Sequence, residues 1–473
     1  REDGSAKFYK NNRWGFFPGV SAGWIFGRED FIKEAIPVMS FGKLRASYGI
    51  NGNASGIGAY TLQGSYGSSN SNGSFNYNGN TSYLITELPN PNLRWEKTAT
   101  FEVGADLSFF ANRLNTNLTY YNRLTSDKYA ALSFPTSTGF SSVTNNNGEF
   151  RNQGIEIELS GKIIDSKDWT WSASGNIAFN KNKIVSLPDN GMERNRINAF
   201  QVYTGNGDEK KWVGGQQEGQ EPGILYLYQA DGIYRSYDEI PANLVRKYGS
   251  RTYYGPEAWN KLTAEQQNAT TNFPIQPGDT KFHDVNGDDV IDEFDKVKVG
   301  ATSPRWTGGF NTTLRWKNFQ LYGRFDYALG FWLYENSGTQ STTPWFMGCY
   351  QGTYNTPTMY YDTWSESNPN AKYPRYLFAD QNGKNNYIAS TMFAYRGDYL
   401  AIREISLSYS LPESVAKMLK MQRAEVSITG QNLGYITGAK NVGSPEANPK
   451  DNGAVGQGYS LPRTILFGVN LTF

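Results

Sequence analysis

The sequence predicts an all-β protein whose antiparallel strands form part of a transmembrane β-barrel. Two observations support this fold class. Apolar and polar residues alternate along unusually long segments, and the connections between these segments are alternately short and long. A third observation excludes helical spans, because no apolar run approaches the roughly 18 residues that a transmembrane helix needs.

Alternation with a period of two marks the strands in order along the chain. In each segment every second residue is apolar, and the residues between are mostly polar or small. The apolar series begin at Phe16, Leu44, Ala99, Ile155, Trp169, Trp306, Phe319 and Ile465. Many of these segments run for about 10 to 14 residues, which suits a tilted membrane crossing better than an ordinary soluble sheet. With a partial strand near residues 6–8, we expect about a dozen strands.

The connections fall into three classes. Tight turns are expected at 111–112, 166–167 and 317–318, and intermediate connections with short helical stretches at 27–42 and 412–420. The long connections are 51–94, 126–149, 184–303, 335–398 and 433–462. If the strands zigzag, every long connection lies at the same end, as in barrels with short periplasmic turns and long external loops. Residues 182–303 are therefore predicted to form a large extracellular loop region.

An open sheet cannot stand alone in lipid, because its two edge strands would expose unpaired backbone groups. We therefore expect residues 1–473 to be the C-terminal portion of a larger barrel whose remaining strands precede residue 1.

The amino-acid composition excludes several classes of function. The net charge of +1 argues against nucleic acid as a partner. The single His and single Cys exclude histidine metal clusters, most His-dependent triads and an intrachain disulfide. The Gly-rich stretch 64–79 lacks the strand-to-helix context of a phosphate-binding loop. No organic cofactor and no enzymatic activity are expected.

Several motifs, taken in order, resemble SusC-like TonB-dependent transporters of Bacteroidetes. The resemblance covers essentially the whole chain, and its motifs lie at 1–8, 12–18, 23–24, 43–49, 90–96, 150–154, 279–295, 431–433 and Phe473. It implies a barrel of roughly 22 strands with a plugged lumen. It also implies a plug domain and a TonB-contacting segment upstream of residue 1, and a SusD-like surface lipoprotein acting as a lid.

The function implied by this resemblance is active uptake of oligosaccharides or peptides across the bacterial outer membrane. The protein would be a multi-pass barrel in outer-membrane lipid with its loops facing the cell exterior, and its aromatic loops favour glycans. Two alternatives stay open. A passive porin should have shorter loops and a complete set of strands, whereas a soluble β-rich surface-binding or adhesion protein should dissolve without detergent.

An acidic segment at 284–295 is the best candidate for a metal site. Its spacing matches a twelve-residue calcium loop, with a carbonyl ligand at position seven. The ligands at positions one, three, five, seven, nine and twelve would be Asp284, Asn286, Asp288, Val290, Asp292 and Asp295. Position six is Asp289 instead of Gly, and position twelve is Asp instead of Glu. A structural Ca²⁺ and a solvated acidic turn are the two interpretations.

Aromatic residues in the long loops are candidates for substrate contact, because aromatic faces stack on sugars or peptide side chains. Packing within the loops or a place at the membrane interface is the simpler explanation for any one of them. Trp345 and Tyr350 are the predicted substrate contacts, since they lie in a Gly/Ser/Thr-rich loop. The terminal Phe473 is predicted to be a signal for barrel assembly, the alternative being an ordinary interfacial aromatic.

Overall fold

The computed structural model describes residues 1–68, 76–77, 80–334, 362–375, 388–439, 444–446 and 461–473. Its dominant feature is an antiparallel sheet of 11 strands. In chain order these are β1 Gly19–Trp24, β2 Met39–Asn53, β3 Glu96–Phe109, β4 Leu114–Ser133, β5 Ser142–Asp165, β6 Trp169–Ser186, β7 Trp306–Trp316, β8 Phe319–Leu329, β9 Tyr399–Ser410, β10 Arg423–Thr437 and β11 Thr464–Thr472.

The strands lie in space in the same order as in the sequence, from β1 at one edge to β11 at the other. The predicted up-and-down arrangement is therefore confirmed. Tight turns at Phe110–Arg113, Ser166–Asp168 and Lys317–Asn318 lie at one end of the strands, which we call the turn end. The long connections leave from the opposite end, which we call the loop end.

The register gives the sheet two chemically different faces. Tyr120 pairs with Ile155 and Ile155 pairs with Phe179, so these apolar side chains share a face. We call it the apolar face, and its Ile155 side chain is 49% exposed. The opposite polar face carries the intervening residues, such as Asn117 opposite Glu158. Alternation arises because successive side chains of a strand point to opposite sides.

One predicted loop is wrong. Residues 126–149 are mostly strand, because β4 continues to Ser133 and β5 begins at Ser142, with Leu132 paired to Val143. The register shifts near Thr125 and Lys128 interrupt the alternation of side chains, yet the backbone pairing resumes beyond them. The side-chain pattern of this segment therefore does not predict a hairpin, although backbone pairing between the strands forms one.

The predicted partial strand near residues 6–8 is also wrong. A strand forms at Glu2–Gly4 instead and pairs with Trp14–Phe16, apart from the large sheet. Phe8 lies in the turn between them and is only 2% exposed. It packs with Ile57, Leu62 and Leu93, so burial of the ring decides the local backbone path.

The short helical stretches predicted in the intermediate connections are confirmed. The α-helices of the described residues are Asp30–Ala35, Pro256–Asn260, Ala264–Gln267 and Glu413–Met418. Short 3-10 turns lie at Lys10–Asn12, Phe26–Arg28, Thr136–Thr138, Glu193–Asn195, Tyr237–Glu239 and Thr391–Phe393. Across the described ranges, no helix has the length and apolar character needed to span a bilayer.

Residues 187–305 fold, together with 331–334, 362–375 and 388–398, into a unit that we call the loop assembly. Its paired strands are Phe200–Tyr203 with Lys210–Val213, Ile224–Tyr228 with Lys296–Ala301, Ala230–Ile233 with Thr280–Phe282, and Trp332–Tyr334 with Ala394–Arg396. A four-stranded sheet contains Asn272–Pro274, Arg251–Tyr254, Val245–Tyr248 and Val290–Ile291. Smaller pairs elsewhere join Ser65–Gly67 to Leu84–Glu87 and Asn76–Tyr77 to Asn80–Thr81.

The loop assembly has an apolar core of its own. One cluster is built on buried Tyr228, Tyr234, Tyr253, Ile275 and Phe282. A second cluster joins Leu227 to Tyr334, Tyr373 and Phe393, and so ties the separate chain segments together. The assembly is thus a folded unit held by burial of apolar surface.

Candidate functional site

The polar face of the sheet is the first candidate site, because its side chains are connected by hydrogen bonds. Arg45 donates through Nε to Asp106 Oδ1 at 3.3 Å, and through Nη2 to Asn117 Oδ1 at 2.8 Å. Arg123 Nη2 donates to Glu102 Oε1 at 3.1 Å. Pairing of this kind lets charged groups line a wall at small energetic cost.

An open hollow of ≈ 550 Å³ lies against this polar face and spans several strands. Its polar lining comes mainly from Asp106, Asn115, Asn117, Glu158, Ser174, Asn176, Asn311, Arg324 and Asp326. The register places Glu156 and Glu158 on the polar face, opposite Thr119 and Asn117. Such a lining offers many hydrogen-bond partners to a hydrophilic segment or solute.

A partly buried ion-pair network anchors the connection after β10 to the polar face. Arg403 Nε donates to Asp326 Oδ2 at 2.6 Å, and its Nη1 donates to Glu446 Oε2 at 2.9 Å. Glu446 also accepts from the hydroxyls of Tyr435 at 2.7 Å and Tyr399 at 2.9 Å. Burial alone would raise the pKa of Glu446, but these hydrogen bonds outweigh it and lower that pKa.

Arg403 reaches this position because the register shifts between Ile402 and Glu404, so that one residue bulges. The sequence carried no sign of this anchor. Its members are widely separated in the chain, and a bulge does not follow the alternation from which the faces were predicted.

Gly154, part of the 150–154 motif, has a steric role. A Cβ at this position would collide with the Phe179 carbonyl oxygen and with the Tyr121 ring system. Tyr121 covers the glycine and donates from its hydroxyl to Asn180 Oδ1 at 3.0 Å. Glycine therefore permits the close approach of neighbouring strands and of an aromatic ring.

The 90–96 motif is a structural clamp at the loop end. Asn146 Nδ2 donates to the Arg94 carbonyl at 2.9 Å, while Arg94 Nη2 donates to Asp127 Oδ1 at 2.6 Å. Glu96 is 6% exposed and accepts from the Tyr129 backbone N–H at 2.8 Å. These contacts hold the β4–β5 hairpin against the connection between β2 and β3.

An ion pair between two segments holds the loop assembly together. The Asp279 side chain is 0% exposed and accepts from Arg375 Nε at 2.6 Å. Arg375 Nη1 also donates to Gln276 Oε1 at 2.6 Å, and the Arg375 backbone N–H donates to the Gly278 carbonyl at 2.8 Å. Segment 362–375 is thereby fixed to the core of the assembly.

The acidic loop at 284–295 closes through its own backbone donors. Asp284 accepts from the N–H groups of Gly287 at 2.7 Å and Asp289 at 2.8 Å. Asp295 accepts from Val285 at 2.8 Å and Asp292 at 2.7 Å. Asp289 supplies the left-handed turn at position six, with φ 62°. Among the described residues, no group of three or more His, Cys, Asp or Glu side chains is arranged to hold a metal ion.

Two features of this loop are compatible with the predicted calcium site, which stays a prediction. Asn286 Oδ1, at position three, is buried and has no hydrogen-bond partner within the described residues. Burial, with the nearby carboxylates of Asp292 and Asp284, raises the pKa of Asp295 to about 6, although backbone donors act to lower it. Val290 lies in a short strand parallel to Val245–Tyr248.

The structure places the aromatic residues in different environments. Tyr228 and Tyr234 are each 2% exposed, so they pack the loop assembly as the simpler interpretation states. Trp212 is 36% exposed, with the Arg196 guanidinium carbon 4.0 Å from its ring centroid. The predicted contacts Trp345 and Tyr350 lie outside the described residues.

Aromatic residues at the strand ends divide into two groups. Trp169, Trp306 and Trp316 lie on the apolar face and are 42%, 42% and 43% exposed, as an interfacial position requires. Phe331 is instead 2% exposed, because it packs with Ala328, Leu333 and Ala439 beyond the end of β8. Phe473, just after β11, is 76% exposed.

A sheet with one apolar and one hydrogen-bonding face, connected by tight turns at one end and by large loops at the other, is the wall of a membrane β-barrel. Comparison with known proteins identifies the kind of barrel. The profile of the family described as "TonB dependent receptor-like, beta-barrel" matches residues 1–254. The chain belongs to this family, which consists of outer-membrane transport proteins and not enzymes.

Curated relatives match the whole chain. It is 29% identical over 482 residues to "TonB-dependent receptor P3" of Formosa agariphila and 27% identical over 489 residues to "TonB-dependent receptor SusC" of Bacteroides thetaiotaomicron. Each alignment covers 100% of this chain, but only 43% and 41% of the respective relative. The chain therefore spans less than half the length of these relatives, and the resemblance to SusC-like transporters is confirmed.

Solved structures share the fold. "Structure of the RagAB peptide transporter" superposes with a TM-score of 0.69 at 23% identity, covering 100% of this chain and 45% of that chain. "Structure of the RagAB peptide importer in the 'open-open' state" gives a TM-score of 0.67 at 22% identity, covering 99% and 44%. The predicted barrel architecture is thus confirmed.

Proposed function

We propose that this chain forms the barrel wall and loop assembly of an outer-membrane importer for oligosaccharides or peptides. The importer would be energised through TonB and would work with a SusD-like lipoprotein that closes over its loops, which face the cell exterior. The observation that carries the proposal is the two-faced sheet: its apolar face suits lipid, and its paired polar face suits a hydrated, occupied lumen.

Several points support active import over passive diffusion. The chain belongs to a TonB-dependent family, and its loops are large and internally folded. One relative is SusC itself, and similar folds include a protein described as a peptide transporter. An open sheet whose outer strands each have one neighbour within the described residues requires further strands to close it in lipid. The apolar face disfavours the soluble adhesion alternative.

The test is growth of the native bacterium on defined substrates. A strain lacking the gene should lose growth on either an oligosaccharide or a peptide mixture as the limiting nutrient, and keep growth on monomers. A strain lacking TonB should show the same loss. Growth that is unchanged on both polymers, or uptake that continues without TonB, would contradict the proposal.

A structural cation site in the 284–295 loop is a second proposal. It is supported by the ligand spacing, by Asn286 Oδ1, which has no hydrogen-bond partner in the described part of the chain, and by the crowding of carboxylates near Asp295. The intact protein should bind Ca²⁺ in isothermal titration calorimetry, and Asp284→Asn together with Asp288→Asn should abolish that binding. Equal heats for the wild type and the double variant would exclude the site.

Phe473 is proposed to act in barrel assembly. Its exposure at the end of the last strand supports this role, since a recognition signal must be accessible. Phe473→Ala should lower the amount of folded protein in the outer membrane more than Phe467→Ala, which removes another exposed phenylalanine of the same strand. Equal amounts of the two variants would indicate an ordinary interfacial ring.

A further inference from the structure

Three basic residues, the exposed Lys181 and Lys183 and the half-buried Arg151, form a patch on the apolar face of the sheet. Arg151 of β5 pairs directly with Lys183 of β6, and Gln153 pairs with Lys181. The next pair in this unshifted register is Ile155 with Phe179. Because residues two apart share a face, Arg151, Lys181 and Lys183 lie on the same side as the apolar residues. We call these three residues the basic patch.

The basic patch lies just beyond the apolar band, at the loop end. Tyr120, Ile155, Phe179 and Trp306 form one cross-strand row, in which the Phe179 and Trp306 ring centroids are 4.7 Å apart. The row with Lys181 is about 7 Å further along the strands, and the row with Arg151 and Lys183 about 14 Å. If the aromatic row marks the interface, the basic patch lies at the depth of lipid head groups.

The patch contains two like charges that face each other across neighbouring strands. Like charges directly opposite each other in a sheet are destabilising, and Arg151 and Lys183 are such a pair. Neighbouring basic residues have acidic partners, Arg123 with Glu102 and Lys128 with Glu96. Within the described residues no ion pair is formed by the three patch residues, and Arg151 Nε is buried without a hydrogen-bond partner.

We propose that the basic patch binds the phosphate groups of a glycolipid in the leaflet at the loop end. A phosphate between Arg151 and Lys183 would relieve their repulsion, and Arg is suited to bidentate phosphate contacts. Asn122 and Gln153 pair with each other in the same cross-strand row as Lys181, and their amide groups can bind sugar hydroxyls. The inference rests on the proposed orientation of the loops toward the cell exterior, where the membrane leaflet is made of phosphorylated glycolipid.

The test is lipid binding by the intact protein, purified in mild detergent and measured by native mass spectrometry. The probes are phosphorylated lipid A, dephosphorylated lipid A and phosphatidylglycerol. A triple variant, Arg151→Gln, Lys181→Gln and Lys183→Gln, should bind phosphorylated lipid A about 100-fold more weakly, at about fivefold for each side chain. A variant with the same charge change at the turn end, Lys162→Gln, Lys167→Gln and Lys317→Gln, should bind like the wild type.

Equal binding by the wild type and the patch variant, or equal binding of phosphorylated and dephosphorylated lipid A, would overturn the inference. Preference of the wild type for phosphatidylglycerol over lipid A would also overturn it, because it would place the patch in the phospholipid leaflet. The growth assay for uptake is independent of lipid binding, so failure of the proposed import and failure of the lipid site are distinguishable.

Discussion

Replacing Arg375 by Gln should open the loop assembly at one defined place. The Arg375 side chain is 21% exposed and that of Asp279 is 0% exposed, so the substitution removes a cation from beside a buried carboxylate. Asp279 keeps other partners, among them the Gln276 backbone N–H, which donates to Asp279 Oδ2 at 3.0 Å. The contact of Arg375 with Gln276 Oε1 is lost as well.

The size of the effect follows from this burial. Removing one partner of a buried ion pair costs about 3–5 kcal/mol. Because Arg375 is partly exposed and Asp279 retains a donor, we place the cost at about 2–3 kcal/mol. The open state of the segment should therefore be about 30- to 150-fold more populated.

Hydrogen–deuterium exchange measured by mass spectrometry on the intact protein follows this opening directly. Peptides covering 272–282 and 362–375 should exchange faster in Arg375→Gln, whereas strands β3 to β6 should not change. Lys417→Gln is the control, because its pair with Glu413 is 70% and 75% exposed and is therefore screened by solvent.

A double variant, Arg375→Gln with Asp279→Asn, sharpens the test. It removes the buried negative charge together with the arginine, so it should exchange more slowly than Arg375→Gln alone. The reasoning is refuted if Arg375→Gln changes exchange in 272–282 by less than threefold, or if Lys417→Gln changes it equally.

Three further predictions concern other contacts. Glu446→Gln should weaken the anchor to Arg403 by about 1–2 kcal/mol, which should appear as faster hydrogen exchange of residues 434–446. Because folding lowers the pKa of Glu446, the wild-type anchor should hold at neutral pH and weaken as the pH falls through the range in which carboxyl groups titrate. Unchanged exchange at pH 4 would contradict this. Burial raises the pKa of Tyr234 to about 12, so its contribution to stability is complete below about pH 10 and is lost between pH 10 and 12. Tyr234→Phe should move the alkaline transition of tryptophan fluorescence to higher pH, and an identical onset would show that another group controls it. Gly154→Ala should destabilise the sheet by about 1–3 kcal/mol through overpacking against Tyr121. Its urea midpoint should be lower than that of Gly161→Ala, because a Cβ at Gly161 has ordinary van der Waals space. Equal midpoints would contradict the steric argument.

Local alternation was enough to place most of the sheet. The alternating series predicted to begin at Trp306 and Trp169 start at the first residues of β7 and β6. The same reasoning missed the hairpin at 126–149, where the side chains do not alternate although the backbone pairs. Alternation also cannot separate the buried Phe331 from the exposed Trp306, because an aromatic residue near a strand end looks the same in sequence whether it faces lipid or a core.

Side-chain alternation does not predict the contacts between the long loops. Nothing in the sequence pairs Asp279 with Arg375, or Glu446 with Arg403, since these residues lie on different connections. Packing was the simpler explanation for the loop aromatics, and Tyr228 and Tyr234 do form part of the core of the loop assembly, but alternation did not identify their partners. The 90–96 motif was recognised, but its role as a clamp depends on Asp127 and Asn146, which a different hairpin supplies.

The sequence by itself determined the two faces, the sites of the turns and the family, because a strand has a fixed period of two and each of these features is local to the chain. The tertiary structure decided which charges meet: the paired network around Arg45, the buried Asp279 carboxylate and the unpaired basic patch on the apolar face. The physical reason is register. Pairing between strands and burial between loops bring together residues that are distant in the chain. The residues next to a given position in the sequence do not specify either of these contacts.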